Sequence, residues 1–145
     1  MRKNPRIEIN LHKLRQNIAT IYNMCAAKGV DVVGVTKGLA ALPVIAQVMV
    51  DGGIKTVGDS RLENILTLRE AGIKAKMMMV RIPMLHEVDL VVKIADCSLN
   101  SELVVIQGLS TAAIKQKKMH DVVLMVDLGD LREGVLPKDV FALVN

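Results

Sequence analysis

The stretch DVVGVTKGLAALP, residues 31–43, carries a lysine to the very end of an apolar, β-branched run, with a glycine directly behind it. An amine in that place has two uses. It can reach solvent as an ordinary surface ammonium, or it can react with a carbonyl. Burial at a strand end disfavours the charged form and lowers an amine's pKa from its usual value of about 10.4. A neutral amine is a nucleophile and forms a Schiff base with an aldehyde. Lys37 is therefore the first candidate for chemistry, and Gly38 lets a ligand approach the backbone.

A second constellation is DLGDLREG, residues 127–134, in which a strand ends on Asp127, turns at Gly129 and presents Arg132 and Glu133. The rigid guanidinium fork suits a phenolate or carboxylate held in plane. The same residues can also make a plain surface loop in which Arg132 pairs with Asp130 or Glu133. Asp59, Arg81 and Asn100 stand at the ends of other apolar runs and are weaker candidates for the same mouth. Other chemistries lack their residues. His12, His86 and His120 show no metal-ligand spacing, so no metal site is expected. No G-x-S-x-G elbow and no glycine-rich phosphate loop occurs. Cys25 and Cys97 lie far apart and read as reduced thiols.

The elements that must position these groups follow from hydrophobic periodicity. Apolar runs at 30–36, 55–59, 76–82, 97–99 and 121–128 predict strands, spaced by roughly 20 to 25 residues, the length of a strand, a helix and two short loops. Between them, LPVIAQVMVDGG predicts a helix with Pro43 in its first turn and a stop at Gly52 and Gly53. SRLENILTLREAG predicts another, with Ser60 as cap and Gly72 as left-handed terminator. HEVDLVVKIA and SELVVIQGLSTAAIKQ follow suit, the second weakened by Gly108. Ahead of them, RIEIN predicts a short strand and LHKLRQNIATIYNMCAAKG an amphipathic helix. Alternating strands and helices require a parallel sheet, and apolar strands imply burial on both faces. Two α/β architectures fit: a complete flavodoxin-like doubly wound sheet, or about five units of a (β/α)8 barrel, which normally needs about 250 residues. In either, ligands bind at the C-terminal ends of the strands.

The totals narrow the partners. The chain has 145 residues, 1% aromatics (Tyr22 and Phe141), nine Met and a formal charge of +4. So few aromatics leave no stacking platform for single-stranded nucleic acid. No signal core and no span of about 20 apolar residues is present, so a soluble, cytoplasmic protein is expected.

Taken in order, VVGVTKG, VGDSRLENILTLREAGI and DLGDLREG resemble the N-terminal barrel domain of the alanine racemase family, fold-type III enzymes dependent on pyridoxal 5′-phosphate (PLP). The style is that of the family's ornithine- and diamino-acid-racemising branch, and the likeness runs from about Arg6 to Pro137. The resemblance implies the barrel rather than the doubly wound sheet. It also implies that Lys37 is the Schiff-base lysine, and that Arg132 is the arginine of a D-x-G-x-x-R pattern facing the cofactor's phenolic oxygen. Lys37 would anchor PLP and, once displaced by the incoming amino acid, act as base on one face of Cα; a proton returned from the opposite face would invert the centre. Two positions depart from alanine racemases proper: Met125 stands where they carry a lysine, and Ala41 where a tyrosine contacts the cofactor phosphate.

The resemblance further implies that residues 1–145 are the N-terminal portion of a PLP-binding barrel. The later strands, the opposite-face base and the C-terminal β-domain would lie elsewhere, and the full-length enzyme would be a homodimer. A five-strand piece is expected to leave sheet edges open and to be weak or inactive alone. Two other readings stay open. One is a PLP-holding protein that does not racemise, although such proteins carry a G-E-N-R-type motif where this chain has GDSRLEN. The other is a self-contained flavodoxin-like binding domain.

Overall fold

A computed structural model describes residues 6–144. Helix α1 (Leu11–Ala26) leads into five βα repeats: β1 (Val33–Val35), α2 (Pro43–Asp51), β2 (Thr56–Asp59), α3 (Leu62–Glu70), β3 (Lys76–Met79), α4 (Val88–Ile94), β4 (Cys97–Asn100), α5 (Leu103–Gln116), β5 (Asp121–Leu124) and α6 (Val140–Val144). All strand pairs are parallel, in the order β1-β2-β3-β4-β5. That order decides between the two architectures. A doubly wound sheet reverses direction at a switch point, whereas a barrel adds each strand beside the one before it. The sheet is a five-stranded arc of a barrel.

Local chemistry explains most boundaries. Asn10 caps α1, its side chain accepting from the Lys13 amide at 3.0 Å. Residues 6–10 form no strand, contrary to the alternation in RIEIN; a short apolar alternation gains nothing without a partner strand, and here it serves as the lead into the cap. Pro43 begins α2, where its missing N–H costs nothing. Helix α5 runs through Gly108 unbroken, and the reason for a glycine is proximity: a Cβ there would lie 3.0 Å from a methyl of Leu85.

The core lies between the sheet and its helices. Val57, Met77 and Met79 face Ile65 and Leu68 of α3, Val91 and Val92 of α4, and Val105 and Leu109 of α5, all buried. With almost no aromatics, flexible Met side chains fill the irregular gaps. At the N-terminal ends of the strands Arg69 clips the layers together. Its Nε donates to the Ile94 carbonyl at 2.9 Å, Nη1 to Ala75 at 3.2 Å and Nη2 to the Asp96 carboxylate at 2.6 Å.

The other face of the sheet departs from the expectation of burial on both sides. Gly58 stands with Val33 and Val80 there, since a Cβ on it would meet both. Val35 and Val123 are 44% and 43% exposed. Among the described residues nothing covers this face, and no helix is long and apolar enough to cross a membrane.

Candidate active site

Parallel register brings the predicted site residues to one edge of the sheet. The Thr36 amide donates to the Gly58 carbonyl at 3.0 Å, Val80 to Asp59 at 3.0 Å and Met125 to Asn100 at 2.8 Å. The strand ends therefore run in sequence: Lys37 after β1, Asp59 closing β2, Arg81 after β3, Asn100 closing β4, and the 127–134 loop after β5.

Lys37 opens a short 3-10 turn, Lys37–Leu39, and its side chain is exposed. The burial anticipated for a strand-end lysine is absent, because β1 is an edge strand whose outer face is open. Its amine has no hydrogen-bond partner among the described residues, and the space beside Gly38 is free, with no heavy atom within 4 Å of a would-be Cβ. The turn is unusual in its backbone. Ala40 and Ala41 both adopt left-handed conformations, φ 47° and 53°, at about 1–2 kcal/mol each. Ala41 is fully buried, its methyl packed into the core.

Asp59 and Arg81 spend their polar atoms within the fold. The Asp59 carboxylate, 0% exposed, accepts from Thr36 Oγ1 at 2.8 Å and from the Arg61 amide and Asn64 Nδ2 at 3.0 Å each. Asp59, and not the expected Ser60, thus tethers the entry to α3, which has Arg61 at its N-cap. Arg81 donates from Nε to the Ser60 carbonyl at 2.7 Å and forks onto Glu87 at 3.0 and 2.9 Å. That fork holds the Glu87 carboxyl below the usual carboxylate range, against the opposing effect of burial.

Asn100 is fully buried and belongs to a polar chain beneath the site. Its Nδ2 donates to Ser98 Oγ at 2.9 Å, and Ser98 Oγ lies 2.8 Å from His120 Nε2. His120 Nδ1 faces the Ala95 carbonyl at 3.2 Å. One neutral tautomer satisfies this chain: Nδ1–H donates to Ala95 while Nε2 accepts from the Ser98 hydroxyl. Asn100 Oδ1 is left without a partner. Burial lowers the His120 pKa, with the Ala95 carbonyl and the Asp121 and Asp96 charges pulling the other way. The sign follows directly. The unfolded chain binds a proton at an ordinary histidine pKa of about 6.5 while the folded chain resists it, so stability falls as pH drops through and below that value. We expect the urea midpoint to decline from pH 7.5 to 5.5, and His120→Gln to flatten the slope; a level wild-type profile would contradict this. Glu87 adds a further loss only at lower pH, as its depressed pKa is crossed.

The 127–134 loop is built around Asp127. Strand β5 ends at Leu124, short of the predicted run, and the chain resumes pairing as a single bridge between Val126 and Val135. Asp127 Oδ1 accepts from the amides of Gly129 at 2.7 Å and Leu131 at 3.2 Å, and the Gly129 bond leads in drawing its pKa down. Gly134 closes the loop at φ +126°, where a Cβ would sit 2.6 Å from the Asp127 amide nitrogen. Only glycine fits. Arg132 is exposed, and its guanidinium has no partner among the described residues. The surface pairing with Asp130 or Glu133 is not made. No group of His, Cys, Asp and Glu among the described residues could hold a metal.

These residues fit an aldehyde cofactor in part. The chain offers an uncommitted amine with open space beside it after β1, and a guanidinium with no partner among the described residues in the loop after β5, at the far end of the sheet's order. Sequence reasoning missed Thr36, Asn64 and Glu87, the partners that hold Asp59 and Arg81. Thr36 left one trace, a hydroxyl at the end of the predicted run 30–36, just past β1.

A five-stranded, singly wound parallel arc backed by helices is the architecture of part of a (β/α)8 barrel. Residues 9–145 match the family model described as the alanine racemase N-terminal domain, and the chain belongs to that family. It is 43% identical over 130 residues to ornithine racemase from Acetoanaerobium sticklandii, covering 90% of this chain and 36% of that protein. It is 34% identical over 131 residues to lysine racemase from Thermotoga maritima, covering 90% of this chain and 37% of that one. Alanine racemase from Streptomyces lavendulae superposes with a TM-score of 0.81 at 23% identity, over 98% of this chain and 38% of that chain, and so shares the fold. The chain thus spans little more than a third of its relatives' length.

Proposed function

We propose that this chain supplies the reactive-lysine half of a PLP-dependent racemase acting on a diamino acid such as ornithine or lysine. The observation that carries the reading is Lys37: an exposed amine without a partner among the described residues, at the C-terminal edge of a barrel sheet, at the position the resemblance assigns to the Schiff-base lysine. The names of the relatives favour a diamino-acid substrate. Met125 and Ala41 argue against alanine racemase proper.

In this reading Lys37 would hold the cofactor through its amine, and Arg132 would face the cofactor's phenolic oxygen. When bound, PLP supplies an electron sink for the charge left on Cα when its proton departs. The chain's own part is acid–base and positional. The Lys37 amine, once freed, takes the proton from one face of Cα. The buried methyl of Ala41 leaves the phosphate to donors other than a tyrosine at that position. Delivery of a proton to the opposite face completes the inversion, and no residue of this chain is assigned to it.

The test is to incubate the protein with PLP, reduce with borohydride and locate the pyridoxyl group by peptide mass spectrometry, alongside deuterium uptake at Cα of ornithine, lysine and alanine in heavy water. Labelling concentrated at Lys37 is expected. Label spread evenly over surface lysines would sink the reading, and uptake into alanine ahead of both diamino acids would sink its substrate class.

A further inference from the structure

We propose that Thr36 and Asp59 form a positioning pair whose work is to hold the turn that presents Lys37; the proposal rests on the assignment of Lys37 above. The turn is closed chiefly by one atom. The Thr36 carbonyl accepts from the Leu39 amide at 3.0 Å and from the Ala41 amide at 3.3 Å, two of the three backbone hydrogen bonds that fold the chain back around Lys37; the third, longer at 3.4 Å, runs from the Ala40 amide to the Lys37 carbonyl. Two consecutive alanines in left-handed conformations follow. A backbone of that kind persists only where the surroundings over-determine it.

The surroundings do so at both ends. On the far side, Ala41 is fully buried against the core. On the near side, Thr36 is 2% exposed and joined to β2 twice, through its amide to the Gly58 carbonyl and through its hydroxyl to Asp59 at 2.8 Å. The hydroxyl also lies 3.3 Å from the Gly58 carbonyl, but it has one proton, and the shorter, charge-assisted bond to the carboxylate takes it. Asp59 is in turn fixed by the Arg61 amide and Asn64 Nδ2, both on its other oxygen. An ionised carboxylate suits this place because all three partners donate; an amide offers one acceptor and two donors. The Lys37 side chain makes no hydrogen bond among the described residues. The position of its amine is therefore inherited from Thr36, and through it from a buried charge on the neighbouring strand.

Thr36→Val keeps the shape of the side chain and removes the hydroxyl. Amide hydrogen exchange at Leu39 and Ala41 reads the turn without any cofactor. Exchange at those two amides should quicken by about ten-fold or more, the loss expected for one charge-assisted hydrogen bond, while Leu68 and Val91 keep their protection. Thr36→Ser should restore slow exchange, which a merely space-filling role would not predict. In the borohydride assay, labelling at Lys37 relative to the other lysines should fall in Thr36→Val and return in Thr36→Ser. If Thr36→Val does not fold, Asp59→Asn serves: the Thr36 hydroxyl must then reverse toward Gly58, and intermediate exchange is expected. Wild-type exchange in Thr36→Val, or in Asp59→Asn where that is the variant used, overturns the proposal. Faster exchange in a protein whose Lys37 never labels would leave the positioning pair standing and remove the function assigned to Lys37.

Discussion

Lys37→Ala is expected to abolish borohydride-trapped pyridoxyl labelling at position 37 while leaving the unfolding free energy within about 0.5 kcal/mol of the wild type. The two halves of that result come from one observation. The Lys37 side chain is exposed and makes no hydrogen bond among the described residues, so its removal takes nothing from the fold. The turn around it is held by Thr36 and Ala41, whose backbone atoms the substitution does not touch. The loss of label should therefore be complete, with only scattered modification of surface lysines left. A variant that unfolds would show that the amine has a structural partner. An unchanged visible absorbance with PLP would show that another lysine carries the cofactor.

Leu68→Ala is expected to cost about 2–5 kcal/mol, read as a drop in urea midpoint at constant slope. Leu68 is 0% exposed on the inner face of α3, within the core that Met77 and Met79 complete. A domain of this size has about 5–15 kcal/mol in total, so the substitution removes a large share. Methionine neighbours are the reason to expect the lower part of the range, since unbranched side chains can swing into a vacated space where Ile or Phe cannot. A loss below 1 kcal/mol would mean that α3 is not closely seated on the sheet.

Much of this fold was legible because burial writes itself into the sequence. Pro43 marked the start of α2, Gly72 the left-handed stop after α3, and five apolar runs the five strands. Period could not choose between barrel and doubly wound sheet, because both repeat the same βα unit and differ only in strand order. RIEIN has strand alternation but no neighbour to pair with, and the last run was cut short at Leu124 by the Asp127 loop. The strand-end positions of the candidate site residues were legible, and the hydrogen bonds that support them were not. Thr36 and Asp59 lie 23 residues apart, and Ser98 and His120 22 apart. Arg81 and Glu87 are separated by six, but across a turn that no helical or strand period describes. Such pairs are made by register between strands, and a linear reading has no access to register.

The consecutive strand order bears on how the chain folds as it is made. Each strand pairs with the strand synthesised just before it, so every new ladder closes a loop of only about one βα unit, and the entropy of closure stays low. No strand has to wait for a distant partner, and none must be inserted between two already paired. The sheet can therefore grow in one direction from β1, each helix sealing the seam just laid down, with β5 as the free edge ready to receive a further parallel strand. Assembly from the amino terminus adds strands at one advancing edge while the edge of β1 stays fixed, which limits the chances of mispairing while synthesis is under way.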